Sequence, residues 1–132
     1  MEESVLNKTL LPETEAKPVS LHPEIKLWLS LDRSFFGPGT ARLLELIDRT
    51  GSVRLACQQM ELSYSKGWKL LIRLEEQTGK TLVDRHQGGK NGGAAILTPE
   101  GAWLLAKYRE LEERGRKAVE REFDAVFGKE FV

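Results

Sequence analysis

The sequence predicts a mainly α protein with a small β component: a winged helix-turn-helix with a long C-terminal dimerisation helix. Three stretches carry that expectation. Residues 51–79 read as two short helices meeting at a tight corner, residues 82–97 read as a hairpin with a glycine-rich tip, and residues 98 to about 127 read as one helix. The chain has 132 residues, enough for one compact domain and an additional long element. Its organisation follows as a flexible tail over 1–23, the winged helix-turn-helix over 24–97 and the dimerisation helix over 98–132.

Residues 1–23 mix Glu, Lys, Thr and Pro with scattered leucines and hold no period, which is the pattern of a flexible tail. From Glu24 the pattern turns to period two. Ile25, Leu27, Leu29 and Leu31 alternate with Lys26, Trp28, Ser30 and Asp32, a half-buried strand with Trp28 covered by another element. Asp32, Arg33 and Ser34 turn the chain so that Phe35 and Phe36 fold back, and Gly37-Pro38-Gly39 breaks it. Thr40 caps a supporting helix that runs to about Thr50, with Leu43, Leu44 and Ile47 inward and Arg42, Glu45 and Asp48 outward.

Ser52 caps the next helix, where Val53, Ala56, Cys57 and Met60 recur at i, i+3, i+4 and i+7 as one buried stripe. Glu61 and Leu62 make the corner. Ser63 caps the second helix of the pair, Tyr64, Trp68, Leu71 and Glu75 follow one row, Leu70 and Leu74 widen the apolar side, and Gly79 stops it. The opposite face presents Ser65, Lys66, Lys69 and Arg73, a hydroxyl and three cations suited to a phosphate-lined groove. Lys66 and Lys69 are read as phosphate contacts, because a lysine is a point charge with little directionality. Ser63 and Ser65 can donate to phosphate or a base edge, and Tyr64 either does the same or only packs. Arg73 either meets the backbone or pairs with Glu76 or Gln77, and Trp68 is read as core. Gly67 costs about 1 kcal/mol against alanine inside a helix, so it marks close approach of the backbone to DNA or to a neighbouring helix.

The hairpin pairs residues 82–85 with 94–97, and its tip is nearly all glycine with Lys90 and Asn91. Backbone amides at such a tip approach a polyanion closely, so Arg85, Lys90 and Asn91 are read as wing contacts. Thr98-Pro99-Glu100 is a strong helix start. The helix that follows is on the order of 40 Å long at ~1.5 Å per residue. Leu104, Tyr108, Leu111, Gly115, Ala118 with Val119, Phe123 and Val126 make an apolar row longer than a small head can cover. A second copy of the helix would cover it, with Arg109, Glu112, Arg116 and Glu120 at the rim; the other reading has the helix fold back on its own head.

Composition excludes several classes of function. Formal net charge is zero, which argues against adhesion to nucleic acid by bulk charge, but the charge is sorted. Between residues 63 and 93, Lys66, Lys69, Arg73, Lys80, Arg85 and Lys90 outnumber Glu75, Glu76 and Asp84. Cys57 is the one cysteine and lies on an apolar stripe, so it reads as a buried thiol in a reducing compartment. No apolar run reaches membrane-spanning length and the start is acidic, so a cytoplasmic protein is expected. His22 and His86 lack ligand spacing, so neither a metal nor a cofactor is expected. Gly79-Lys80-Thr81 lacks the first glycine of a phosphate loop, with Leu74 in its place, and ends a helix instead of opening one. No nucleophile, base and orienting acid converge, so no enzyme is expected.

The segments GSVRLACQQMELSYSKGW, LVDRHQGGKNGGAAILTPEG and EIKLWLSL resemble the amino-terminal DNA-binding domain of molybdate-responsive ModE-type transcriptional regulators. More distantly they resemble LysR-type winged helices. The resemblance runs from about Glu24 to the end of the long helix. It implies a homodimer on double-stranded DNA, with the helix beginning at Ser63-Tyr64 in the major groove, the wing at the backbone or minor groove, and the long helix dimerising. Full-length members of that family carry carboxy-terminal oxyanion-binding domains. The segments matched here hold none of them, so molybdate sensing is expected not to be encoded in this chain. A sequence-specific regulator, a repressor on a near-palindromic operator, is the first reading, and a protein-interaction or assembly module without specific DNA binding is the second.

Overall fold

The structure, a computed structural model, describes residues 20–86 and 94–128. Residues 24–118 make one compact unit, and residues 20–23 and 119–128 fall in a second. The first unit opens with β1 (Leu29–Ser30) and β2 (Ser34–Phe36), a short antiparallel pair with an irregular register. The strand is far shorter than the alternation over residues 25–31 predicts. Leu27 and Leu29 pack against the core, but Ile25 and Leu31 at the two ends of the alternation remain 39% and 61% exposed, and only Leu29 and Ser30 find a partner strand among the described residues. Trp28 departs from expectation too. One side of its ring presses on Gly37, where a Cβ would collide with it, yet the residue is 54% exposed.

Helix α1 (Pro38–Thr50) begins two residues before the expected cap. Proline occupies the first turn, where its missing N–H costs nothing, and Gly37 is the N-cap. Thr40 acts from inside that turn, its Oγ1 accepting from the Gly37 N–H at 3.0 Å. Leu43, Leu44, Leu46 and Ile47 form the floor of the core. Gly51 ends the helix at φ 72°, a left-handed conformation that glycine adopts without a Cβ penalty. Helix α2 (Val53–Gln59) is capped by Ser52, whose Oγ accepts from the Leu55 N–H at 3.1 Å. The corner places Glu61 at φ 56°, and Ser63 then caps α3 (Tyr64–Thr78) by accepting from the Lys66 N–H at 3.1 Å. Gly79 closes α3 at φ 69°.

Strands β3 (Val83–His86) and β4 (Ala94–Leu97) pair antiparallel, one residue later at the first strand than the sequence predicts. One bond ties the hairpin to the head and another closes its base. The Ala95 N–H donates to the Gly51 carbonyl at 2.9 Å, and Thr98 Oγ1 donates to the Thr81 carbonyl at 2.7 Å while accepting from the Gly101 N–H. Helix α4 (Pro99–Phe127) therefore starts hard against the wing strand, and a Cβ on Gly101 would overlap the Leu82 carbonyl oxygen. Its first turns are core: Leu104 and Leu105 pack on the head, and Tyr108 is 1% exposed. In the second unit, the rings of Phe123 and Phe127 lie 4.8 Å apart between centroids.

Candidate nucleic-acid interface

What an amphipathic helix shows to solvent is decided by what holds its other side. On α3 the buried residues are Gly67, Leu71 and Leu74. Gly67 is there because α2 crosses so closely that a Cβ would strike Cys57 Sγ, so the neighbouring helix, and not DNA, accounts for the glycine. Cys57 itself is 1% exposed, and burial pushes its thiol pKa up, as an inert packing cysteine requires. The rotation fixed by these contacts leaves Ser65, Lys66, Lys69 and Arg73 exposed together. Among the described residues, Lys66, Lys69 and Arg73 make no salt bridge. Ser63 is exposed, and its Oγ is engaged as the helix cap.

A second row of the same helix is built differently. Tyr64, 37% exposed, carries the Arg54 guanidinium over its ring at 4.7 Å and meets Trp68 edge-on at 5.9 Å. Trp68 in turn lies beneath the Arg85 guanidinium at 4.4 Å. Trp68 is thus half-buried between an aromatic edge and a cation, and not in the core as its helical position suggests. Arg85, read from the sequence as a wing contact, is engaged within the protein. Its Nη2 donates to Glu75 Oε1 at 3.1 Å, its side chain is only 23% exposed, and its Nε is buried with no partner among the described residues. Glu75 Oε2 also accepts from the Leu82 and Val83 N–H groups at 2.8 and 3.1 Å. One carboxylate therefore pins the wing strand to α3. Lys90 and Asn91, on the predicted wing tip, lie outside the described residues.

Arg54 and Glu75 are the residues that sequence reading passes over. Both leave a signal. Arg54 is a cation in the first turn of a helix, where the macrodipole disfavours it. Glu75 is a carboxylate on the row that otherwise carries Tyr64, Trp68 and Leu71.

The expected dimer row is divided by the fold. Tyr108 is withdrawn from it: its hydroxyl donates to the Leu27 carbonyl at 2.9 Å, its ring meets Phe36 at 4.9 Å, and burial raises its pKa. Leu104 is half-buried against the head. Gly115 faces a methyl of Ile25 at 3.5 Å. Leu111 and Val126 remain 48% and 74% exposed, with Val119 and Phe123 half-buried. Arg109, expected at the rim, instead binds Glu45 of α1 through two nitrogens at 2.9 and 2.6 Å and Glu112 at 2.8 Å. These bonds lower the Glu45 carboxyl pKa and raise that of Arg109. Among the described residues no three metal-binding side chains cluster, and no helix is long and apolar enough to cross a membrane.

Residues 40–102 match the family described as bacterial regulatory helix-turn-helix protein, lysR family. The chain is 36% identical over 112 residues to the molybdenum transport protein ModE of Herbaspirillum seropedicae, an alignment covering 85% of this chain and 39% of that protein. It is 36% identical over 90 residues to the transcriptional regulator ModE of Haemophilus influenzae, covering 67% and 35%. With the DNA-binding transcriptional dual regulator ModE of Escherichia coli K12 it shares 32% over 101 residues, covering 76% and 38%. The chain thus spans less than two-fifths of the length of each of these relatives. The capped helix pair and the paired strands agree with the first of those matches, and residues 40–102 form a helix-turn-helix domain of the lysR type.

Proposed function

We propose that this chain is a transcription regulator that binds double-stranded DNA by laying α3 in the major groove. The observation that carries the proposal is the rotation of α3: Gly67, Leu71 and Leu74 face the core while Ser65, Lys66, Lys69 and Arg73 face solvent with no carboxylate bound to the three cations among the described residues. Long cationic side chains left unpaired on a rigid helix suit phosphates, which release counterions when bound. Arg85, held by Glu75, serves in this reading to set the wing, and contact by Lys90 and Asn91 completes it.

Two copies joined along Leu111, Gly115, Val119, Phe123 and Val126 would present two such helices to a near-palindromic operator. The exposed Leu111 and Val126 support that seam. Occlusion of a promoter, in molybdenum-related control as the names of the relatives suggest, is the mode of action we assign, and the protein would work in the cytoplasm where its DNA lies.

The test is titration of the full chain against random-sequence duplex over a range of salt. Lys66→Ala with Lys69→Ala should weaken binding and reduce the slope of log affinity against log salt by about two, with melting temperature unchanged. A slope equal to that of the unaltered protein rejects the assigned face. Sedimentation equilibrium of the same samples should return twice the monomer mass, and a monomer at micromolar concentration rejects the seam.

A further inference from the structure

We propose that Arg54 is a DNA phosphate contact, aimed by the ring of Tyr64, at the junction of the two helices of the motif. The inference rests on the DNA-binding reading above and adds a residue outside the recognition helix to it.

Arg54 belongs to the first turn of α2, the helix that in this motif crosses the sugar–phosphate backbone while its neighbour enters the groove. A cation there works against the local helix dipole, so its position needs another reason. Its guanidinium does not turn to a carboxylate. It reaches across the corner to lie over Tyr64, the first residue of α3, at 4.7 Å from the ring centroid. Among the described residues it makes no salt bridge, and it is exposed.

Stacking occupies one face of a guanidinium and leaves the N–H donors in its plane free. It also removes much of the rotamer freedom that a long side chain loses on binding. An arginine held in that way is pre-oriented for two parallel bonds to one phosphate. Arg85 offers the contrast within the same row. It too lies over an aromatic ring, Trp68, but Glu75 takes its charge. Of this pair, Arg54 is the one with no carboxylate bound among the described residues, and Arg109, over the Tyr108 ring, is likewise taken by Glu45 and Glu112. A phosphate is the assigned partner, and not a base edge, because the residue projects from the first helix of the pair.

The experiment uses the full chain, random-sequence duplex and a salt series, with circular dichroism melts as the folding control. Arg54→Ala should bind about tenfold more weakly near 0.1 M salt, as loss of one charge-assisted pair implies, with a salt slope smaller by about one. Arg54→Lys should keep the slope but lose affinity several-fold, since lysine retains the charge without the stack or the fork. Tyr64→Phe keeps the ring, so adding Arg54→Ala to it should cost the same tenfold and the same slope as in the unaltered protein, and an undiminished affinity in that double variant would count against the ring's role. Tyr64→Leu should behave like Arg54→Lys, and adding it to Arg54→Ala should cost little more.

If Arg54→Ala binds with unchanged affinity and slope while the unaltered protein binds well, Arg54 only covers Tyr64 and the inference falls. A loss that varies with duplex sequence would mark a base contact and overturn the phosphate assignment. Should Arg54→Ala melt early, Arg54→Lys at the native melting temperature decides in its place: full affinity there rejects the aimed fork. Failure of the unaltered protein to bind random duplex at low salt would instead reject the DNA reading itself.

Discussion

Helices α3 and α4 are both amphipathic and both rich in cations, yet they dispose of their charge in opposite ways. Along α4, Lys107 and Arg114 meet Glu110, Arg116 and Lys117 meet Glu113, and Arg109 meets Glu112 and Glu45. All but the last of these pairs lie three or four residues apart, the spacing at which helical side chains become neighbours. Along α3 the same spacing is used against stability, because Lys69 follows Lys66 by three residues and Arg73 follows Lys69 by four. Like charges at that spacing cost ~0.2–0.5 kcal/mol each. A zero net charge is thus compatible with a nucleic-acid partner, since most cations of α4 are paired with acids while Lys66, Lys69 and Arg73 of α3 are bound to none among the described residues. In the proposed reading the cations of α4 serve stability and those of α3 a polyanion, and variants of each kind can break that contrast.

The largest effect is expected at the one carboxylate of α3 that is fully engaged. Glu75 accepts from two backbone N–H groups and from Arg85, with both side chains mostly covered. Glu75→Ala would leave those donors and a guanidinium without their acceptor, at a cost of ~3 kcal/mol in denaturant unfolding. A loss under ~1 kcal/mol would mean that solvent replaces the carboxylate and that the wing is not held by it.

Next comes Arg109. Its two-nitrogen grip on Glu45 joins α4 to α1, and both side chains are about one-third exposed, so screening discounts the contact to ~1–2 kcal/mol. Arg109→Met should cost that much and leave the salt slope of DNA binding untouched. A changed slope would show that α4 cations serve the DNA as well. The pair also has a pH signature. Arg109 holds the folded Glu45 carboxyl below its ordinary value of 4.5, so the stability it supplies is complete above that value and is lost as pH falls through the lower folded one. Melting temperatures of the unaltered protein and Glu45→Gln should differ at pH 7 and converge below about 4.5. A gap that stays constant through acid would assign the effect to packing.

Much of this arrangement was legible in the residues, and the rest fails for identifiable reasons. Caps are local chemistry, so Ser52, Ser63 and Thr98 appear where their hydroxyls predict, and Gly51 and Gly79 end helices in the left-handed conformation. The outward face of α3 follows from period alone. Tyr108 does not, because a row of apolar residues cannot tell which of its members the head will take. Only the fold brings Leu27 and Phe36 to Tyr108 and moves it from a seam between copies into the core of one. The inward turn of Arg85 to Glu75 and of Arg109 to Glu45 is hidden for a related reason: those carboxylates lie 10 and 64 residues away, beyond any local rule. Period two over residues 25–31 places Leu27 and Leu29 against the core but overstates the strand, because alternation does not say how much partner strand there is to pair with.

The smallest effect sharpens the comparison most, because it isolates charge from packing. Arg114 lies on the solvent side of α4, its side chain 76% exposed, and meets Glu110 at 2.6 Å four residues earlier. Short as it is, such a pair gains little from high-dielectric surroundings and must order two long side chains, so Arg114→Ala should change stability by no more than ~0.5 kcal/mol. It also removes one positive charge, as Lys69→Ala does. If DNA affinity followed net charge, the two variants would weaken binding equally. The proposed reading expects the loss with Lys69→Ala alone, since the Arg114 charge is already matched by Glu110 while that of Lys69 has no acid bound among the described residues. Equal losses in matched titrations against random duplex would mean that the sorting of charge between the two helices has no bearing on where DNA binds.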